Sequence, residues 1–419
     1  IAMPLLERKR PMSNPVVIHH LPCTHFWIYG VLLWFGLSAA SHSALAQSPA
    51  PPEISFRVIG SEPPTELYKT CRRMVVGPTV NQPDDYPGYG GFVGWPGVTR
   101  LRSGRWFLTF SSGYWHASPP LTEEIKNDPQ YRPQLQEWQK LGMPDLLAPR
   151  GGRTHLIWSD DQGRTWSRPQ TLIDTELDDR HATILELDNG SLLCTFFQYC
   201  LPGFAQAQYV LSSDGGRSWS KPLSLPGEAT SFGNGSAIKL SDGTILLAAE
   251  SKQGTQGIAI CRSGDQAKTF ELTARVSTDH DLFEPSVAEL PDGRLVLIAR
   301  PQGDISFSSD RGQTWTKPVS TGVSLFDPNL LLMPGGVLAC FHGSYQGGGL
   351  RVILSPDGGC TWQGPADRIG YAVDPSVYGY SHPMLLPDGT VYLVYIHTGG
   401  HSASDARTEA LWSIHLRIS

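Results

Sequence analysis

Ser308-Ser309-Asp310-Arg311-Gly312-Gln313-Thr314-Trp315 is one of five copies of an octet, Ser-x-Asp-x-Gly-x-Thr/Ser-Trp/Phe. The other copies begin at Ser159, Ser212, Ser263 and Ser355, so successive starts lie 53, 51, 45 and 47 residues apart. The third is degenerate, with Ala267 and Phe270 where Gly and Trp stand elsewhere. The chemistry is that of a turn. An Asp accepts turn N–H groups, a Gly takes the left-handed corner, and a Trp packs between neighbouring units. A second pattern interleaves with it: an apolar residue, two turn residues, Gly, then an apolar strand. It starts at Leu101, Leu187, Leu240, Leu290, Met333 and Leu386, six times in all. Asp-Gly or Asn-Gly between apolar runs signals a tight hairpin. Each unit therefore reads strand, hairpin, strand, link, strand, octet turn, strand. Six such units at roughly 45–55 residues predict an all-β fold, a six-bladed β-propeller of four-stranded antiparallel blades. Hairpins and octets both join neighbouring strands of a meander, so they fall on one face. Ligand-binding positions are expected on the opposite face.

Composition agrees. The chain has 44 Gly and 34 Pro among 419 residues, the mark of many turns, and 40% hydrophobic residues with 12 Trp, enough for a large core. Disorder is excluded for most of it. With a net charge of −6 and no basic block, nucleic acid is not an expected partner. Residues 1–46 read as a signal peptide: Arg8-Lys9-Arg10, an uncharged run from Phe26 to Ala40, then Ala44-Leu45-Ala46 before Gln47. This predicts a secreted or periplasmic protein, monomeric, with no stable membrane insertion after cleavage. Residues 47–89 are expected to be a lead-in with a closing strand, and 90–419 the propeller. Cys194 and Cys340, in apolar runs, are expected as buried thiols.

One unit departs from the repeat. Between its first hairpin and its octet lies an insertion, residues 116–150, with a short helix expected in 130–141; long insertions in compact repeats usually carry function. A second signal comes from counting. Six residues before each hairpin apolar residue stand Trp95, His181, Asn234, Glu284, Asp327 and Tyr380. None is aliphatic, whereas an ordinary alternating strand supplies some Val, Ile or Leu there. Such a ring fits a polyhydroxylated ligand. The ends of the second strands add Glu250 and Arg300, and Arg180 flanks His181; an Arg there either clamps a carboxylate or pairs with Glu284 or Glu250. No cofactor and no metal are expected. The octets lack the calcium-loop pattern, and His397 and His401 lie on a strand end and a Gly loop.

The octets resemble the Asp-box of sialidase-type propellers. Phe283-Glu284-Pro285-Ser286, continuing to Arg300, looks like the segment where that family carries its catalytic base and one substrate-carboxylate Arg. Tyr380-Ser381, before the last hairpin, is similar to the segment of the family's nucleophilic Tyr. The resemblance thus implies Tyr380 as nucleophile, Glu284 as its base and Arg300 as a carboxylate ligand. It implies an acid/base Asp ahead of the first octet strand, where Arg150-Gly151-Gly152-Arg153 stands; Asp145, Asp178 and Asp179 are the nearby carboxylates. The family's other two arginines fall at Gly94-Trp95-Pro96 and near Gly347, and Ile396 replaces a carboxyl. The implied function is an exported glycoside hydrolase releasing a terminal acidic sugar, with a glycan as partner. The alternatives are a non-catalytic carbohydrate-binding propeller and a propeller lyase or hydrolase acting on uronic-acid polysaccharide.

Overall fold

Six apolar clusters alternate with six sheets around a ring, and each cluster lies between two neighbouring sheets. This is a computed structural model; it describes residues 56–58, 71–114, 116–120, 123–129, 132, 136, 151–200, 204–233, 237–251, 256–364, 369–400 and 408–418. Two N-terminal strands, β1 (Phe56–Val58) and β2 (Arg73–Val76), come first. Blade one holds β3 (Phe92–Arg100), β4 (Trp106–Gly113), β5 (Arg153–Ser159) and β6 (Gln170–Ile173). Blade two holds β7 (Asp178–Glu186), β8 (Leu192–Cys200), β9 (Phe204–Ser212) and β10 (Leu223–Ser224). Blade three is β11 (Ile238–Lys239), β12 (Ile245–Ser251), β13 (Gly257–Ser263) and β14 (Glu271–Val276). Blade four is β15 (Phe283–Glu289), β16 (Leu295–Arg300), β17 (Asp304–Ser308) and β18 (Val319–Ser320). Blade five is β19 (Leu325–Leu332), β20 (Leu338–Ser344), β21 (Leu350–Ser355) and β22 (Tyr371–Asp374). Blade six is β23 (Ser381–Leu385), β24 (Val391–Ile396) and β25 (Leu411–Ile418).

Every blade is an antiparallel meander, and the expected six-bladed architecture is the observed one. Blade six takes its outer edge from the N-terminal region. Both β1 and β2 pair with β25, with Phe56 opposite Ile418 and Arg73 opposite Ser413. Ring closure is therefore made by main-chain hydrogen bonds as well as by the apolar cluster of Val76, Phe92, Trp106, Val394 and Leu411 between blades six and one. Cys194 and Cys340 are fully buried thiols, as their apolar strands imply.

The five octets share one set of bonds. In the fourth, Ser308 Oγ donates to Asp310 (2.8 Å) and accepts from Gly312 N (2.8 Å), while Asp310 accepts from Thr314 N (2.8 Å) and Thr314 Oγ1 (2.5 Å). Gly312 sits at φ +84°, and a Cβ there would lie 2.7 Å from Leu246 Cδ1. The aromatic residues, Trp166, Trp219, Phe270, Trp315 and Trp362, each pack on a different inter-blade cluster. Hairpins and octets meet on one face: Arg105 pairs with Asp160 at 2.7 Å, and Gln266 accepts from Asp188 N at 3.0 Å.

The insertion of blade one opens with His116 and carries a short helix, α1 (Glu123–Asn127). Nearly all of the helix expected in 130–141 lies outside the described residues, as do residues 1–46. Among the described residues no helix is long and apolar enough to cross a membrane, and no group of His, Cys, Asp and Glu could hold a metal ion.

Candidate active site

The innermost strands of blades one, two, four and five share a distortion. The β3–β4 register slips between Gly94 and Gly97, β7–β8 between Arg180 and Thr183, β15–β16 between Phe283 and Ser286, and β19–β20 between Phe326 and Asn329. Within each slip one non-glycine residue takes a left-handed conformation: Trp95 (φ 55°), His181 (φ 53°), Glu284 (φ 45°) and Asp327 (φ 46°). These are four of the six positions found by counting back from the hairpins. Left-handed backbone at a residue with a Cβ costs energy and clusters where a side chain must be re-aimed. In three bulges the next residue is proline (Pro96, Pro285, Pro328), which a bulge tolerates because no ladder donor is needed there. Tyr380, the fifth position, directly precedes β23 and follows Gly379 at φ 124°. Asn234, the sixth, lies outside the described residues, as does Asp145.

In the bulges of blades two, four and five the N–H of the left-handed residue is taken up by a side chain of the preceding blade. Glu250 Oε1 accepts from Glu284 N (3.0 Å), Glu284 Oε2 from Asp327 N (2.8 Å), and Asp327 Oδ2 from Ser381 N (2.8 Å). On the other side, Ser111 Oγ receives His181 N (3.3 Å) and His382 Nδ1 receives Val98 N (3.3 Å). The ring residues thus lock adjacent blades together. Gly233 is required by this crowding, since a Cβ there would lie 2.9 Å from both Asp327 Oδ1 and Glu284 Cβ.

Tyr380, Glu284 and Arg300 meet at one oxygen. Tyr380 Oη donates to Glu284 Oε1 at 2.5 Å, and Arg300 Nη1 donates to the same atom at 2.7 Å. Burial, with the Glu284 carboxylate close by, holds the Tyr380 phenol well above its ordinary pKa, so it carries its proton at rest. Burial pulls the Arg300 pKa down, but the Glu284 carboxylate outweighs it and keeps the guanidinium charged. Arg300 is therefore the ion-pair partner of Glu284. Glu250, raised by burial and by the nearby Glu284 charge, also accepts from Ser231 Oγ (2.7 Å) and Gln256 Nε2 (2.6 Å).

Aromatic rings enclose this group. The Tyr380 ring lies 4.5 Å from Trp95, 5.4 Å from Phe326 and 5.7 Å from Tyr378, while Tyr345, 49% exposed, stands 5.0 Å from Phe326. The His181 ring lies 4.6 Å from Trp95, tilted by 35°, and is held neutral by burial and by Arg180. Its Nδ1 and Arg300 Nε are buried without a hydrogen-bond partner. Leaving polar atoms unmet is costly, and native proteins concentrate such cost at working sites.

Asp178 and Asp179 sit at the start of β7, fully buried. Asp178 Oδ2 accepts from Ser118 N (2.7 Å) and faces Arg180 Nε at 3.7 Å. Asp179 accepts from Thr175 N (2.7 Å), Thr175 Oγ1 (2.9 Å) and Gln198 Nε2 (3.3 Å), and burial raises its pKa to about 7. Both carboxylates are engaged in fixing the link into blade two. Sequence reasoning passed over Phe326, Tyr345, Tyr378, Gln256 and His116. Phe326 and Tyr378 lie within two residues of ring positions, so neighbours of the counted positions were the available signal. His116 had only its place at the head of the insertion.

The BNR repeat-like domain family matches residues 182–393, just over half of the chain. A curated protein named sialidase, from Bacteroides fragilis (strain YCH46), is 25% identical over 232 residues; the match covers 48% of this chain and 41% of that protein. A protein of unknown function from Dyadobacter fermentans DSM 18053 superposes with TM-score 0.64 at 17% identity, over 87% of this chain and 99% of that one. The Hadza microbial sialidase Hz136 superposes with TM-score 0.55 at 18% identity, over 78% of this chain and 65% of that one. At such identities the structures speak for the fold alone. The family match across blades two to six establishes that the chain belongs to the BNR repeat-like domain family, and the curated sialidase relative marks it as a divergent member of the sialidase superfamily.

Proposed function

We propose that the protein is an exported glycoside hydrolase in which Tyr380 attacks the anomeric carbon of a terminal sugar. The observation that carries this reading is the 2.5 Å hydrogen bond from Tyr380 Oη to Glu284, with Arg300 on the same carboxylate oxygen. A phenol is a poor nucleophile until its proton has somewhere to go. Glu284 accepts that proton as the new oxygen–carbon bond forms and the glycosidic bond breaks. The Arg300 guanidinium pairs with Glu284, and its positive charge also attracts an acidic group on the sugar. Water then releases the sugar from Tyr380, which recovers its proton from Glu284. A tyrosine nucleophile is a known departure from the two-carboxylate rule of glycosidases. Trp95, His181 and Asp327 supply the wall that recognises hydroxyl groups, and the glycan is met outside the cytoplasm.

A second reading, carbohydrate binding without turnover, draws on one observation. Tyr380 is 5% and Glu284 7% exposed, so the reacting pair is nearly closed off. The test is turnover of aryl sialosides and aryl uronides by wild type and Tyr380→Phe. The hydrolase reading expects turnover that the variant loses. Glycan binding with no turnover by wild type would support the second reading.

A further inference from the structure

We propose that His116 is the group that protonates the leaving glycosidic oxygen; this rests on the hydrolase reading above. That reaction needs a proton donor across the sugar from Tyr380. Asp178 and Asp179 spend their oxygens on Ser118, Thr175 and Gln198. His116 is placed differently. Its ring stands edge-on to Trp95 at 4.7 Å, 6.2 Å from the Tyr378 ring and 6.4 Å from the Tyr380 ring.

The residue is also tied down as a working group must be. His116 N donates to Gly400 O (3.0 Å), and its carbonyl accepts from Arg180 Nη2 (2.6 Å). Its Nδ1 lies 2.7 Å from Gly399 O. A carbonyl oxygen only accepts, so Nδ1 carries a hydrogen and the mobile proton belongs to Nε2. The accepting turn is itself pinned, because Glu409 takes His397 N (2.8 Å), Thr398 N (2.8 Å) and Thr398 Oγ1 (2.7 Å). Among the described residues, the titratable groups that face His116 are Tyr378, Tyr380 and Arg180, with Asp178 beside Arg180 and Glu409 behind the turn. Imidazole, ordinarily titrating near pH 6.5, suits proton transfer at neutral pH.

The proton balance closes. As the Tyr380 oxygen–carbon bond forms, the Tyr380 proton passes to Glu284 and the His116 Nε2 proton passes to the departing oxygen. In the second half, neutral His116 takes a proton from the attacking water, and Tyr380 leaves with the proton held by Glu284.

The test compares leaving groups. Sialosides and uronides carrying activated dinitrophenyl or unactivated methoxyphenyl groups are offered to wild type, His116→Asn, Asp179→Asn and Tyr380→Phe. Melting temperatures check each fold. In His116→Asn, kcat/KM should fall about 10²–10⁴-fold on methoxyphenyl glycosides and less than about tenfold on dinitrophenyl ones. The alkaline limb of the pH profile should vanish with it. Equal losses on both leaving groups, or a leaving-group-selective loss in Asp179→Asn instead, would overturn the assignment and leave the hydrolase reading standing. Selective loss in His116→Asn with Tyr380→Phe fully active would keep His116 and remove the tyrosine mechanism. No turnover of any of these glycosides by wild type would remove both.

Discussion

The octet turns and the inner bulges are two repeated features of the same blades, and they repeat in opposite ways. In the octets both backbone and side chains recur: Ser, Asp and Thr or Ser make the same bonds at every copy. In the bulges only the backbone recurs. The left-handed residue is Trp95, then His181, Glu284 and Asp327. A repeated structural task selects the same side chain each time. A repeated backbone carrying a different side chain each time is a scaffold presenting a varied set of groups to one centre. The bulges still hold blades together, since Glu284 and Asp327 each take the next blade's N–H.

Swapping one residue from each class should separate the two roles. Glu284→Gln keeps an oxygen for Asp327 N but removes the base for Tyr380 and leaves Arg300 without its ion-pair partner, so it should lower kcat about 10²–10⁴-fold and also cost about 3–5 kcal/mol of stability. Asp310→Ala should leave kcat within twofold and cost about 1–2 kcal/mol of stability in urea unfolding, through its lost turn bonds. Similar stability losses and similar activities for both variants would erase the distinction.

Acid titration sharpens the same contrast. Burial lowers the His382 pKa to about 4, and its Nδ1 accepts Val98 N where blade six meets blade one. Between pH 6.5 and 4 the unfolded chain binds the extra proton, so stability falls as pH drops through that window. The contribution is about 3 kcal/mol at most. His342, lowered to about 4, acts in the same sense; Asp179 and Glu409, raised to about 7, act in the opposite one. The readout is therefore the difference between wild type and His382→Gln in urea unfolding at pH 7 and pH 4, where the variant should lose less. The octet carboxylates Asp161 and Asp265 are held near 2 by their turn bonds, so their stabilisation is intact throughout that window and is lost only as pH falls from about 4 toward 2.

The octet corners should give effects no larger than that of Asp310→Ala. Gly312→Ala should destabilise by about 1–2 kcal/mol, because a Cβ at φ +84° meets Leu246. Ala267 already tolerates φ 60° at the matching corner, so Ala267→Gly should change stability by less than about 1 kcal/mol. Thermal unfolding of the pair checks both.

The sequence carried most of the fold because turns are written in residue types. Asp-Gly hairpins and octets fix where strands begin, and a constant distance from bulge to hairpin lets a count of six reach Trp95, His181, Glu284 and Asp327. The bulges themselves were hidden, since no glycine marks the left-handed positions. Arg300 was legible as a site cation but not as the settled partner of Glu284, because pairing depends on side-chain reach. The engagement of Asp178 and Asp179 with Ser118, Thr175 and Gln198 was equally invisible, as was the approach of His116 to Trp95 across some twenty residues. A closing strand was expected before residue 90; two strands share β25, which nothing in the repeat pattern encodes.

The central claim is that Tyr380 forms the bond to sugar. A mechanism-based fluorinated glycosyl fluoride, of whichever sugar the aryl-glycoside screen shows to be turned over, should leave one covalent adduct on the intact protein. Peptide mapping by mass spectrometry should place it on Tyr380, and Tyr380→Phe should take up none. An adduct on any other residue, or equal turnover by Tyr380→Phe, would contradict the account.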